Sequence, residues 1–454
     1  MDTTIQKIDL ISDFSDFYRE NQDIIISGYP HFVNSLRETG IEEFRKQGIP
    51  SKKSERYKYT LIDSFINKTY KRYLAPRNIS LKVEEIFKCD VPQFDTHVIL
   101  LINGFYYAGN QINGILSDKI WIGSLAKAAV EKPEFLERHF GKYAAFDDGL
   151  IALNTACFRD GLMVHVPKGV KLDKPLQVIN VKLSDEDVMA QQRNLIVIED
   201  NSEVNMVICD HTLSPHNFFT NLVTEIYVGK GSHYNQTRLQ QEHNGAAMVS
   251  SVFINQEADS SVNSTTFTLH GGMVRNNLKI SLNGERASSE SSGLFLTDKT
   301  QQVDNYVFVN HLKPNCTSNQ FFKGILDDIS TGSFYGRIMV HRDAQKTFAY
   351  QKSNNLLLSN DAKINSRPQL EIYADDVKCG HGATVGQLDQ EALFYLQTRG
   401  ISKEEARLLL MFAFAHEIIQ NIKEETLKER IDELVNKRLR GELTRCHDCQ
   451  IHCC

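Results

Sequence analysis

The chain contains 454 residues, enough for two or three structural units by the usual domain-size range. Hydrophobic residues make up 41% and charged residues 24%, as in an ordinary soluble globular protein. The net charge of -6 gives no basic footprint, which argues against a nucleic-acid partner. No run approaches the about 18 apolar residues of a membrane span, and the N-terminus carries acids where a signal peptide would be basic. We therefore expect a soluble cytoplasmic protein without a membrane partner.

Three composition regimes divide the chain, and a short tail follows them. Residues 1–148 mix charged helical patterns with short apolar runs, which predicts a mostly helical region. Residues 149–387 are rich in β-branched residues and alternate apolar with polar positions, as strands do. Residues 388–440 return to helical periodicity, and residues 441–454 form a tail rich in cysteine and histidine. The chain is therefore expected to be mainly β, with helical regions on both sides.

The central region predicts a β-solenoid rather than a β-sandwich. Its strand-like runs, such as residues 202–210 and 336–341, are separated by turn signals at irregular intervals. A sandwich would show turn signals about every 8–12 residues. A solenoid stacks short strands and tolerates corner loops of variable length. Because no strict repeat is present, periodicity alone favours the solenoid only modestly.

Two amphipathic helices are predicted after the β region. Ser402 and Glu405 form a capping box, and the apolar positions that follow share one helix face. A second pattern of the same kind extends through Leu434. A helical hairpin at the end of a β body can dock either onto that body or onto a partner protein. For any one helix, docking onto the body is the more common outcome.

A thiol and an imidazole are separated by one glycine where the β region meets these helices. Residues i and i+2 of an extended segment point to the same face, so Cys379 and His381 could bind one metal ion. Two protein ligands cannot close a tetrahedral site, so further ligands would have to come from elsewhere in the chain or from a second chain. The alternative is structural, with the cysteine acting as a small hydrophobic residue and the histidine as a hydrogen-bonded packing residue.

Four cysteines crowd the last nine residues: Cys446, Cys449, Cys453 and Cys454. The first two form a C-x-x-C pair, and two histidines lie beside them. Such a tail could complete a Zn²⁺ site or hold iron–sulfur species. The alternative is a flexible terminus that binds metal adventitiously. The odd total of nine cysteines argues against a disulfide framework.

The chain lacks several motifs that mark enzymes. It contains no G-x-x-x-x-G-K-[ST] phosphate loop, no G-x-S-x-G elbow and no H-E-x-x-H metal motif. We therefore do not expect it to hydrolyse nucleotides itself. A β-helix enzyme acting on polysaccharide stays open as an alternative, and it would need several carboxylates converging on a groove of the solenoid.

Several segments, taken in order, resemble the SufB/SufD family of iron–sulfur cluster assembly proteins. The similarity covers most of the chain beyond the N-terminal segment, and the matching motifs are residues 48–60, 146–156, 160–161, 166–170, 311–316, 323–324, 344–347, 355–359, 368–372 and 373–386. SufB-like chains carry a cluster-related cysteine in the segment that matches residues 350–355. Ser353 occupies that place here, and this departure favours the SufD side of the family.

The resemblance implies a right-handed parallel β-helix between helical regions and a non-catalytic scaffold role in a SufB–SufC–SufD complex. It implies that SufB pairs through the β-helix near residues 373–386 and that the SufC ATPase binds the helices after Asp389. It also implies that His381, with Cys379 in a less certain role, contributes to a nascent Fe–S cluster shared with SufB. A homodimer and a purely architectural subunit with a zinc-binding tail remain alternatives.

Overall fold

The computed structural model describes residues 9–77, 95–107 and 120–442. A β-solenoid of about 8 turns forms the centre, with helices before and after it. This confirms the predicted mainly β fold with helical flanks. None of the helices in the described ranges is long and apolar enough to cross a membrane.

The solenoid strands alternate between two sheets. The helices that precede the solenoid are α1 (Leu10–Glu20), α2 (Gln22–Ile26), α3 (His31–Gln47), α4 (Asp63–Ile66), α5 (Leu125–Glu131), α6 (Pro133–His139) and α7 (Gly149–Cys157). The strands are β1 (His97–Ile102), β2 (Phe105–Tyr106), β3 (Trp121–Ser124), β4 (Leu162–Val166), β5 (Leu176–Lys182), β6 (Val188–Ile198), β7 (Glu203–Thr212), β8 (Phe218–Val228), β9 (His233–Gln241), β10 (Ala246–Gln256), β11 (Ser261–His270), β12 (Met273–Leu282), β13 (Ser288–Thr297), β14 (Gln302–His311), β15 (Thr317–Leu326), β16 (Thr331–Val340), β17 (Thr347–Leu357), β18 (Lys363–Ile372) and β19 (Val377–Gly386). The helices that follow are α8 (Gln390–Thr398), α9 (Lys403–Ile419) and α10 (Glu425–Leu439).

Each solenoid strand pairs in parallel with the strand two places further along the chain. The ten-stranded sheet has the order β19-β17-β15-β13-β11-β9-β7-β5-β1-β2, and the nine-stranded sheet has the order β18-β16-β14-β12-β10-β8-β6-β4-β3. The chain therefore crosses from one sheet to the other and returns one coil further on. β1 pairs with β5, so a strand from the first 148 residues extends the ten-stranded sheet.

Stacked β-branched residues explain why the sequence forms this core. Pairing in the nine-stranded sheet places Ile196, Ile226, Ile254, Ile280 and Val309 directly next to one another on successive coils. All five side chains are buried in the largest apolar cluster. Branched side chains suit a pleated strand, and stacking them in register fills the interior without a strict sequence repeat.

A buried ion pair fastens the N-terminal region to the outer face of the nine-stranded sheet. Glu225 on β8 pairs with Arg193 on β6, and both side chains are fully buried. The Glu225 carboxylate also accepts hydrogen bonds from the backbone N–H groups of Gly141, Tyr143 and Ala144 at 2.8–3.1 Å. One carboxylate thus balances the charge of Arg193 and accepts the backbone hydrogen bonds of the turn that follows α6.

The C-terminal hairpin folds back over the outer face of the ten-stranded sheet. Buried apolar residues of α9 and α10 form one cluster with residues of that sheet. Arg438 donates from Nε to the carbonyl oxygen of Leu269 at 2.6 Å and from Nη1 to Asp298 at 2.8 Å. Lys323 donates from Nζ to the carbonyl oxygen of Phe414 at 2.8 Å. Of the two docking outcomes that the sequence left open, the structure shows docking onto the body.

Candidate functional site

The solenoid ends on two strands that each have a single neighbour. β19 is the last strand of the ten-stranded sheet and pairs only with β17, while β18 is the last strand of the other sheet. Within the described ranges, no strand pairs with their outer edges. Most residues of β18 and β19 are partly or fully exposed, unlike the strands before them. The coil stack is therefore open at this end and presents unpaired backbone groups.

Cys379 and His381 both lie on β19 and face the interior of this open end. They pair in register with Ala349 and Gln351 of β17, whose side chains are buried inside the solenoid. Parallel in-register partners point to the same face of a sheet, so the thiol and the imidazole share the inner face. The extended conformation on which shared ligation depends is therefore present, whereas the role of these residues as ligands stays a prediction.

The two side chains differ in environment. Cys379 is half-buried and packs against the apolar cluster that contains Val340 and Ala349. Burial raises the pKa of its thiol, although a hydrogen bond with the backbone of Ala349 acts in the opposite direction. His381 is exposed, and no other described residue forms a hydrogen bond or ion pair with its ring. The imidazole is thus the more accessible of the two groups.

This pair cannot hold a metal ion without help. No group of three or more histidine, cysteine, aspartate or glutamate side chains in the described part of the chain is arranged to bind a metal. A thiol with a raised pKa would also have to lose its proton before it could act as a ligand. The arrangement suits an incomplete donor set that another chain completes.

Large apolar side chains are exposed next to the open end, and no motif in the sequence indicated them. Phe348 and Tyr350 alternate with buried residues along β17, and both are more than two-fifths exposed. Val385 on β19 is also exposed, but it lies on the inner face of the open end, in register with the buried Asn355. Aromatic residues on the outward-facing positions of a strand were the signal that could have revealed this surface.

A second exposed apolar surface lies on the C-terminal helices. Phe394 is 68% exposed, Tyr395 is 57% exposed and Leu409 is 43% exposed. Phe394 and Tyr395 belong to α8, which begins only three residues after the end of β19. The helical region therefore still offers apolar contacts after it has docked onto the sheet.

The predicted tail ligands Cys446, Cys449, Cys453 and Cys454 lie outside the described residues. A zinc or iron site in the tail therefore stays a prediction.

The described structure is thus a β-solenoid with helical flanks that carries a cysteine and a histidine on one face of its open terminal strand. Two family models match consecutive parts of this chain. The "SUF system FeS cluster assembly, SufBD core domain" matches residues 181–414, and the "SufBD protein N-terminal region" matches residues 8–178. The chain belongs to the SufBD family of iron–sulfur cluster assembly proteins.

Named relatives agree with this assignment. An iron–sulfur cluster assembly SufBD family protein of Synechocystis is 29% identical over 401 residues, which cover 86% of this chain and 87% of the relative. The iron–sulfur cluster assembly protein SufD of Escherichia coli is 28% identical over 404 residues, covering 88% and 92%. SufB of Bacillus subtilis is 24% identical over 417 residues, covering 91% and 86%. Because SufD and SufB relatives both match, these comparisons establish the family and not the branch.

Proposed function

We propose that this chain is a SufD-type, non-catalytic scaffold subunit on which nascent Fe–S clusters are built at an interface with a SufB-type partner. The observation that carries the proposal is the pair Cys379 and His381 on a free edge strand at the open end of the solenoid. The pair has two donors where a tetrahedral iron or zinc site needs four. A second chain at the same edge would supply the missing ligands.

Strand addition is the mode of association that fits this edge. β18 and β19 leave one row of backbone groups unpaired in each sheet, and such rows pair readily with strands of another chain. Val385 on β19 would then be covered, while Phe348 and Tyr350, which face outward on β17, would be available to other parts of the partner. A second copy of this chain could use the same edge, so a homodimer is the competing composition for the complex.

His381 is proposed as the principal ligand from this chain. Its exposed ring can turn either nitrogen toward an incoming cluster, and a neutral imidazole binds iron. Cys379 is placed second because its thiol is half-buried and its pKa is raised. The partner would contribute the softer thiolate ligands that Fe–S clusters require. The cluster is cargo here and leaves the scaffold when it is complete.

Ser353 supports the SufD-type assignment. It is fully buried on the inner face of β17 and pairs in register with Ala383 of β19. A cysteine at this position would stand on the same face as Cys379 and His381 and would add a third donor. A serine hydroxyl is a poor substitute for a thiolate on iron, so this chain would depend on its partner.

The C-terminal helices are the proposed docking region of a SufC-type ATPase. Phe394, Tyr395 and Leu409 supply exposed apolar contacts there. Because α8 follows β19 after three residues, a displacement of the helices would act directly on the strand that carries His381. ATP hydrolysis is assigned to the partner, since this chain contains no phosphate-binding loop.

Substituting His381 tests the proposal. We expect His381→Ala to lower the yield of clusters on the anaerobically reconstituted complex about tenfold or more, because loss of even an outer contact to a metal site commonly costs that much. The complex should still form, since the substitution leaves the strand backbone unchanged. The measurement is iron and sulfide content per complex after co-purification with the SufB-type and SufC-type partners.

The matched control is His233→Ala. His233 is an exposed histidine at the start of β9, far along the coil stack from β19, and its Nδ1 forms a hydrogen bond with the hydroxyl group of Ser261. This control should keep the cluster yield of the unmodified complex. An unchanged yield in His381→Ala would remove this residue from the proposed mechanism.

A further inference from the structure

A column of buried polar side chains runs into the solenoid directly beneath His381. In-register pairing places His381 next to Gln351, Gln351 next to Gln320, and Gln320 next to Ser291. Neighbours in such a column lie about 4.8 Å apart. Gln351, Gln320 and Ser291 are each no more than 2% exposed. The interior beneath the proposed ligand is therefore polar.

Many polar atoms of this column have no hydrogen-bond partner among the described protein groups. They are both amide atoms of Gln320, Oε1 of Gln351 and the hydroxyl group of Ser291. The hydroxyl group of Ser289, two residues before Ser291 on the same face of β13, also has no partner there. Gln351 makes one hydrogen bond, from Nε2 to the carbonyl oxygen of Gln369 at 2.9 Å. Each unsatisfied buried polar atom costs about 1–3 kcal/mol, so native proteins contain few of them. A cluster of such atoms in one compartment indicates a ligand that satisfies them together.

The surroundings restrict that ligand to a neutral molecule. No charged side chain occupies an inner-facing position of β13, β15 or β17, and the charged residues Glu290, Lys323 and Lys352 stand on the outer face. Burial lowers the pKa of His311 to about 4, so this inner histidine is neutral as well. An ion in this compartment would lack a counter-charge, which is a large energetic cost.

Geometry also limits the size of the ligand. The ring centroids of Phe322 and Phe334 lie 4.9 Å apart, and Phe322 follows Gln320 by two residues on the same face of β15. On the other side, the imidazole of His311 contacts the hydroxyl group of Ser318 at 2.8 Å. A ligand among these buried side chains must therefore be small and must both donate and accept hydrogen bonds. Water matches these requirements, since a buried water molecule typically makes about three hydrogen bonds to polar groups.

We propose that this compartment binds a file of ordered water molecules that extends from Ser289 and Ser291 past Gln320 and Gln351 to the inner side of His381. When a partner covers the open end, these water molecules remain next to the imidazole, and one of them can form a hydrogen bond with a ring nitrogen. That last step rests on the proposed function. The hydration of the column does not, because it is a property of the isolated chain.

A crystal structure of the isolated, iron-free chain that shows ordered solvent tests the proposal directly. We expect water oxygens within hydrogen-bond distance of the Gln320 amide, of the Ser291 hydroxyl group and of Oε1 of Gln351. A compartment without solvent density, in which the Gln320 amide bonds to other protein groups, would overturn the proposal. The solvent content of the isolated chain does not depend on iron or on partners. A dry compartment would therefore contradict this proposal without bearing on the proposed function.

Thermal unfolding of Gln320→Leu gives a second test, because leucine has a similar volume and no polar atoms. If water fills the column, the substitution deprives the water of partners and lowers the unfolding midpoint. If the column is dry, the substitution removes two unsatisfied atoms and leaves the midpoint unchanged or raises it. Asn319→Leu, on the exposed outer face of the same strand, controls for the change in strand propensity. Should Gln320→Leu fail to fold, Ser291→Ala is measured in its place and should also lower the unfolding midpoint. An unfolding midpoint that does not fall would contradict the proposal.

Discussion

Replacing Glu225 with glutamine should lower the free energy of unfolding by about 3–5 kcal/mol, the range found when one partner of a buried ion pair is removed. Glutamine has nearly the same shape as glutamate, so packing changes little. Arg193 would remain buried without a counter-charge, and three backbone N–H groups would lose a charged acceptor. Urea denaturation of the isolated chain measures the effect.

Two further variants separate the ion pair from general damage to a strand. Glu290→Gln changes an exposed glutamate on β13 and should alter stability by no more than about 0.5 kcal/mol. Adding Arg193→Met to Glu225→Gln removes the unpaired charge, so the double variant should be more stable than Glu225→Gln alone. Additive losses in the double variant would show that charge pairing is not the cause.

The substitution Ala383→Pro should weaken association with a SufB-type partner at least about tenfold, which corresponds to about 1.4 kcal/mol. Phe348 donates its N–H to the carbonyl oxygen of Cys316, the residue before β15. Because N–H groups alternate in direction along a strand, those of Ala349, Gln351 and Ser353 point the other way, toward β19. In a parallel pair, a residue whose N–H faces the neighbouring strand lies beside a residue whose own N–H faces away from it. Ala383 lies beside Ser353, so the N–H of Ala383 points to the free edge. Proline would remove this donor and obstruct an incoming strand.

The solenoid itself should tolerate this proline, because edge strands accept proline where the N–H faces away from the sheet. Circular dichroism of the variant checks that point, and titration with the partner measures affinity. Ala383→Val keeps the N–H and serves as the control. Equal affinities for a folded Ala383→Pro variant and the unmodified chain would exclude strand addition at β19. An equal loss in Ala383→Val would point instead to side-chain packing.

Composition predicted the fold class because strands of a solenoid obey local rules. Alternating β-branched residues specify extended segments, and an irregular spacing of turns is compatible with coils of unequal length. The stacking of Ile226 on Ile254 and of Ile254 on Ile280 depends on register between coils, which has no local signature. For the same reason, the pairing of β1 with β5 could not be predicted.

The candidate site was predictable only in part. The i, i+2 spacing placed Cys379 and His381 on one face of a strand. Which face points inward follows from pairing with Ala349 and Gln351, and the open end follows from the absence of a described strand beyond β19. The role of Glu225 could not be predicted from sequence either. A glutamate on a strand has no local signature of burial, and its pairing with Arg193 depends on the register between two coils.

Pulsed electron paramagnetic resonance of a reduced, cluster-loaded complex tests the central claim most directly. In that complex only this chain should carry ¹⁵N-labelled histidine, with unlabelled SufB-type and SufC-type partners. The proposed function predicts a ¹⁵N hyperfine coupling to the cluster that disappears in His381→Ala and persists in His233→Ala. The absence of a coupling in the unmodified complex, or its persistence in His381→Ala, would contradict ligation of the cluster by His381.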